Sequence, residues 1–202
     1  MESFTRIEAV AVPIDIINCD TDQIIPARFL RHLPDDGGYE NYLFHDLRFS
    51  KDGAAVPEFV FNQARYAGAR IFVADLNWGC GSSRENAVYA LVANNITCVI
   101  APSFGDIHFS NCMKHGVLPV VLPRAVCDAM RADLHRTEGA TIAVDLAAQT
   151  VVGPDGTEHS FEIGAFDKHR MLNGLDEIAM TREYDTEFDA FERKHAQAYN
   201  WL

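Results

Sequence analysis

The sequence predicts an α/β fold with a parallel core, and three stretches carry that prediction. Arg70-Ile71-Phe72-Val73-Ala74 is a short apolar run, the pattern of a buried strand. After a glycine-bearing loop, Val88-Tyr89-Ala90-Leu91-Val92-Ala93 has a helical pattern, and Thr97-Cys98-Val99-Ile100-Ala101 is a second apolar run. Strand, helix and strand in that order form a βαβ unit, whose right-handed crossover makes the two strands parallel. Beyond Gly139 the texture changes to short strands and turns, which predicts an antiparallel meander appended to the core.

Taken in order, residues 4–18 alternate loosely, with Ile7, Val10, Val12, Ile14 and Ile16. They read as one or two strands broken at Pro13. Asp20-Thr21-Asp22 begins a turn or helix whose apolar face is Ile24, Ile25, Phe29 and Leu30. Arg28 and Arg31 flank that face, and by residue type alone each reads as a solvated surface charge. Residues 32–57 are the least regular part. Pro34-Asp35-Asp36-Gly37-Gly38 is a turn cluster, and the aromatics Tyr39, Tyr42 and Phe44 follow. Such a segment fits a mobile flap over a site and equally an ordinary surface loop.

Residues 59–68 read as a short helix ended by glycine, and roughly 84–94 as the crossover helix. A helix over about 103–115 ends at Gly116, and a strand at 117–122 follows. Pro123 opens a helix over about 124–135, with Val126, Met130 and Leu134 at four-residue spacing. The meander strands fall at 141–146, 150–152 and 160–163, with a turn at Pro154-Asp155-Gly156. Residues 167–180 carry a short helix ending near Gly174. The tail 185–199 is helical, and its stripe of Phe188 and Phe191 is expected to pack on the body. There is no internal repeat or low-complexity linker. The expectation is a single domain over 1–202, with the meander and helical tail beginning at about 140.

Composition narrows the function. Seventeen basic against 29 acidic residues give a net charge of −12, which argues against nucleic acid and against an anionic membrane surface. The five cysteines, Cys19, Cys80, Cys98, Cys112 and Cys127, are odd in number and none is in C-x-x-C spacing. Neither a disulfide framework nor a zinc or iron–sulfur motif is indicated. Cys98 and Cys127 read as core thiols, and Cys80 as a small loop residue. No apolar run approaches the roughly 18 residues of a membrane span, and Met1-Glu2-Ser3-Phe4 does not open a signal peptide. A cytoplasmic location is expected.

The chemistry concentrates in Gly79-Cys80-Gly81-Ser82-Ser83-Arg84-Glu85-Asn86-Ala87, between the first predicted core strand and its helix. N–H groups at a helix start have no intrahelical partner and carry the positive end of the helix dipole, so a carboxylate or phosphate fits there. Arg84 adds a planar fork suited to a carboxylate. The loop is not a dinucleotide fingerprint, because Arg84 stands at the third glycine position, and no Gly-Lys-Ser/Thr makes it a P-loop. Nor is it a G-x-S-x-G elbow. On spacing alone two readings stay open: an anion site, or plain helix capping by Ser82 or Ser83 with help from Glu85 or Asn86.

The Gly-x-Gly-Ser-Ser-Arg-Glu string resembles the swivel-domain signature of the aconitase superfamily. Three more segments extend the likeness: 20–30, around Asp20-Thr21-Asp22-Gln23; 103–119, with Ser103-Phe104-Gly105-Asp106 and Gly116-Val117-Leu118-Pro119; and 169–178, from His169 to Ile178. Nearly the whole chain resembles the small-subunit family of bacterial 3-isopropylmalate dehydratases. That resemblance implies a three-layer β/β/α swivelling domain. It also implies a hydro-lyase that interconverts 2- and 3-isopropylmalate by dehydration and rehydration in leucine biosynthesis. Related two-subunit enzymes act on homoaconitate, citraconate or dimethylmalate-type acids.

By the same resemblance, Ser82 is the catalytic base and Arg84 binds a substrate carboxylate. Ser83, Gly81, Arg28 and Arg31 are the further substrate-binding candidates. The loop within 32–57 takes part in substrate choice. The family's four-iron, four-sulfur cluster sits on another subunit, so this chain is expected to hold no metal and to work only with a large iron–sulfur partner on a small dicarboxylate. Two other classes compete on residues alone. A stand-alone serine hydrolase needs one of eight histidines beside Ser82, and no motif places one there. A non-catalytic carboxylate-binding module needs only the anion site.

Overall fold

The computed structural model describes residues 1–199 of the 202. Seven strands form one sheet: β1 Arg6–Ile14, β2 Ile71–Ala74, β3 Cys98–Ala101, β4 Leu118–Val121, β5 Thr141–Asp145, β6 Thr150–Val152 and β7 Glu158–Ser160, in the order β4-β3-β2-β1-β5-β6-β7. β1 to β4 run parallel, and Ile71 pairs with Cys98 as the βαβ reading requires. β5, β6 and β7 are the antiparallel meander.

The meander is continuous with the core rather than appended to it, because β1 belongs to both halves. Its first half pairs antiparallel with β5, Arg6 opposite Asp145, and its second half parallel with β2, Ile14 opposite Ala74. Nor does Pro13 break the strand: it lies in register opposite Val73. The Ala11 N–H points toward the meander side, to the Ala140 carbonyl at 3.4 Å, so Pro13, two residues on, points that way too. The β1–β5 ladder ends at Val10, and the missing N–H costs no ladder bond there.

Period-two alternation divides the core. Val12, Ile14, Phe72, Ala74, Val99 and Ala101 face one side. There they pack with Ile24, Phe44 and Trp78 and with helix α3 (Glu85–Ala93) through Ala87, Val88 and Leu91. Ala11, Ile71, Val73, Cys98, Ile100, Leu118 and Val120 face the other side. Their partners are Cys127, Met130 and Leu134 of helix α5 (Arg124–Arg136) and the meander's inner face, Ile142, Val144 and Val151. Helices, parallel strands and the curled-over meander are the three layers.

The remaining helices are α1 Thr21–Ile24, α2 His45–Arg48, α4 Asp106–Lys114, α6 Ala165–Asn173, α7 Glu177–Arg182 and α8 Asp185–Ala198. Residues 59–68 are not a helix but two 3-10 turns, Val60–Asn62 and Ala64–Tyr66. The Asn62 amide donates to the Arg48 and Val56 carbonyls at 2.7 and 2.9 Å, and Gln63 is extended. The last meander strand comes two residues earlier than expected, because the turn at Asp155-Gly156 pairs Val152 with Glu158. α7 was not foreseen. The stripe on α8 is a further correction: it has no buried residue, and Phe188 and Phe191 are 46% and 65% exposed.

Candidate active site

Three loops leave the carboxyl ends of β1, β2 and β3 and are stitched together. The Asn18 N–H donates to the Leu76 carbonyl at 2.9 Å, and the Asn77 side chain to Asn18 Oδ1 at 2.9 Å. Gly79 N–H reaches the Cys19 carbonyl at 2.8 Å, and Thr21 N–H the Cys80 carbonyl at 3.0 Å. From the third loop, the Ser103 hydroxyl accepts from Asn77 N–H and the Ser103 carbonyl from Trp78 N–H, both at 2.9 Å. Gly79 is needed for a reason beyond its φ of +68°: a Cβ there would stand 2.2 Å from Cδ2 of His108. Carboxyl-end loops are where ligands bind in open α/β sheets.

Gly81, with φ +91°, turns the loop outward, and Ser82 and Ser83 are exposed. Thr21 Oγ1 donates to the Ser82 carbonyl at 2.9 Å, which fixes the Ser82 backbone and leaves its hydroxyl free. Neither serine caps α3. The N-cap is Arg84, extended at φ −144° and ψ 109°, with no side-chain cap bond, so the capping alternative fails. The N–H groups of Glu85 and Asn86 have no backbone partner among the described residues; the first backbone bond of the turn runs from Ala87 to the Arg84 carbonyl at 3.3 Å. The start of this nine-residue helix therefore leaves these donors without a backbone partner, a setting that suits an anion. Arg84 lies beside it, its side chain 15% exposed and paired through Nη1 with Asp22 of α1. One face of its fork is anchored while the charge stays at the loop.

Arg28 and Arg31 lie apart from this constellation in their bonding. Arg28, in the 3-10 turn after α1, pairs with Asp46 and stacks over Phe29 at 4.5 Å. That hydrogen bond holds the Asp46 carboxyl below the usual range. Arg31 is exposed and has no hydrogen bond or ion pair among the described residues. The middle of the 32–57 segment is anchored rather than loose: Tyr39, Leu43 and Phe44 are buried, and Phe44 N–H bonds the Ile24 carbonyl at 2.8 Å. Asn86 of α3 donates to the Tyr39 hydroxyl at 2.9 Å, tying the segment to the helix that opens at the serines.

Several neighbours escaped the sequence reading: Thr21, Asp22, Asn18, Asn77 and His108. The Asp20-Thr21-Asp22 motif hinted at the first two, and the 103–119 segment contained His108 without giving it a role. His108 is buried behind Gly79 with neither ring nitrogen bonded among the described residues, and burial lowers its pKa to about 4. The Ser82 hydroxyl has no histidine partner among the described residues, which removes the hydrolase reading. No helix among the described residues is long and apolar enough to cross a membrane.

Comparison with known proteins gives the family. A model of the aconitase C-terminal domain matches residues 1–125, and a second model, LeuD_N, matches 128–165. The 3-isopropylmalate dehydratase small subunit of Rhodospirillum rubrum is 48% identical over all of this chain and 97% of its own length. That of Paramagnetospirillum magneticum is 46% identical over the full length of both chains. The chain belongs to the 3-isopropylmalate dehydratase small-subunit family. A crystal structure of 3-isopropylmalate dehydratase (leuD) from Methanocaldococcus jannaschii superposes with a TM-score of 0.64 at 22% identity, covering 92% of this chain and 98% of that one. At that identity it speaks for the fold, the aconitase-type swivel domain. Membership in a small-subunit family means that a larger partner exists.

An iron–sulfur cluster does not fit this family member's own thiols. Cys19, Cys98, Cys112 and Cys127 are buried, burial pushes all four thiols up, and Cys127 reaches about 12. Cluster ligation needs thiolates converging on one point. Among the described residues no three His, Cys, Asp or Glu side chains are grouped to hold a metal.

Proposed function

We propose that this chain is the small subunit of a cytoplasmic 3-isopropylmalate dehydratase, which interconverts 2- and 3-isopropylmalate with a large iron–sulfur subunit. The observation that carries the reading is the start of α3, where two exposed serines leave the helix donors uncapped beside an anchored arginine. Dehydrating a substituted malate requires removal of a proton next to a carboxylate. In this proposal Ser82 takes that proton, its developing negative charge favoured by the helix-start N–H groups and Arg84. Arg84 grips a substrate carboxylate, with Ser83 and the Gly81 backbone beside it, and Arg28 and Arg31 are the second rank of carboxylate contacts.

The loop is open to solvent, so half of an enclosed site is missing from this chain. In the proposal the large subunit supplies the other wall, the four-iron, four-sulfur cluster and the acceptor for the departing hydroxide. The test is co-purification with that subunit and an assay on a panel of 2- and 3-substituted malates. Activity on isopropylmalates only with both chains present is expected. Turnover by the chain alone overturns the half-site reading. A preference for homoaconitate, citraconate or dimethylmalate replaces the substrate and keeps the class.

A further inference from the structure

We propose that Arg131, on the far side of the sheet from Ser82, is a positioning residue that sets the two loops of the site in register; this inference rests on the function proposed above. Arg131 sits on α5 and is 7% exposed. Its Nε donates to Asp15 Oδ1 at 2.8 Å and its Nη1 to the Ala74 carbonyl at 2.9 Å. Its Nη2 donates to Asp75 Oδ2 at 3.1 Å and to Asp128 Oδ1 at 2.7 Å. Asp15 is the first residue after β1 and Asp75 the first after β2. One planar guanidinium therefore clamps the carboxyl ends of both central strands, at the points where the 15–20 and 75–84 loops begin.

From those points the connection to the chemistry is continuous. Asp75 Oδ1 accepts from Leu76 N–H at 2.6 Å, and the Leu76 carbonyl from Asn18 N–H. The two loops then exchange bonds down to Thr21 and the Ser82 backbone, and Asp22 holds Arg84. A shift of one strand end against the other pulls Thr21 and Asp22 away from the Ser82 backbone and the Arg84 fork that they hold, because holders and held ride on different loops. Buried ion pairs add little net stability compared with apolar packing of the same volume. Arg131 and Asp75 are nearly buried, whereas Asp15 at the other strand end and Asp128 on α5 are about half exposed, and exposed pairs add little either, so this arginine is better explained by the geometry it imposes than by the stability it adds. Lysine supplies a point charge and cannot reach two strand ends in one plane.

The test uses Arg131→Lys, Arg131→Met and Asp75→Asn in two measurements. In the enzyme reconstituted with its large subunit, kcat is expected to fall roughly 10–100-fold with KM nearly unchanged, the signature of misplaced rather than missing groups. In the full-length chain alone, thiol labelling of Cys80 is expected to accelerate several-fold. Cys80 is the one partly exposed cysteine, and its Sγ donates across the loops to the Asn18 carbonyl at 3.3 Å. Asp75→Asn leaves Arg131 its other three partners and remains folded if the arginine variants do not. Wild-type kcat together with wild-type Cys80 labelling in any folded variant overturns the proposal, as does a loss of activity that follows the unfolded fraction. If wild-type chain and large subunit turn over no malate, the proposed function fails, and the labelling rates still decide whether Arg131 sets the loops.

Discussion

The loops after β1, β2 and β3 and the C-terminal helix α8 lie at two ends of a scale of internal support. In the loops nearly every backbone turn is bonded to a neighbouring loop, and Trp78 beneath them is fully buried. α8 has fourteen residues, none buried, and carries Phe188 and Phe191 on its surface. An isolated helix of that length is marginal in water. Residues in the loops are held in place by their own chain, whereas no residue of the α8 stripe is buried among the described residues. The contrast teaches that an apolar pair at helical spacing says which face is apolar and says nothing about what covers it.

The contrast is open to attack at both ends. The largest effect is expected from Ser82→Ala in the reconstituted enzyme: kcat should fall about a thousand-fold or more, ~4 kcal/mol, with KM and unfolding midpoint nearly unchanged. The hydroxyl caps nothing, so stability has little to lose. An active Ser82→Ala enzyme moves the base to the partner chain. Arg84→Lys should cost about 2–5 kcal/mol of transition-state binding, read from kcat/KM. Near-normal turnover would make Arg84 a mere partner of Asp22.

Gly79→Ala probes support rather than chemistry. A left-handed alanine colliding with His108 should lower stability by about 2–4 kcal/mol in denaturant titration. A smaller cost would mean that the loops are looser than their bonding implies.

His108 sharpens the same point through pH. Its folded pKa, about 4, lies below the ordinary 6.5, so between those values the unfolded chain binds the extra proton. The neutral imidazole's contribution is intact above pH 6.5 and is lost as pH falls toward 4, about 3 kcal/mol in all. His108→Phe should flatten that slope and leave stability at pH 7 equal or higher, because an unbonded buried polar group is removed. A slope that survives the substitution belongs to other groups.

At the other end, Phe191→Ser should change stability by less than about 0.5 kcal/mol in the isolated chain. A loss above 1 kcal/mol would show α8 packed on the body and end the comparison.

The parallel core was legible because Ile71 to Ala74 and Cys98 to Ala101 are buried on both faces, so every residue in them carries the apolar signal. The loop of Gly81, Ser82, Ser83 and Arg84 was legible as a candidate anion site because strand, glycines and helix start are adjacent in sequence. Its supports were not: Asp22, Thr21 and Asn18 lie some sixty residues upstream and meet the loop only through the β1–β2 pairing. Pro13 misled because its place on the open side of β1 depends on where β5 stops. Residues 59–68 misled because Asn62 spends its side chain on distant carbonyls, a contest local propensity does not register.

β1 has one more consequence, in the order of folding events. The strand that occupies the middle of the sheet is made before the other six, and its partners are β2 and, from residue 141, β5. A nascent chain synthesised only as far as residue 70 has a central strand with both edges bare. Closure of the sheet waits for the meander, and contacts that distant in sequence make for slow folding and a long interval of exposed strand edge. The carboxyl-end loops can assemble as soon as β2 and β3 have emerged, so the site's framework precedes the completed sheet around it.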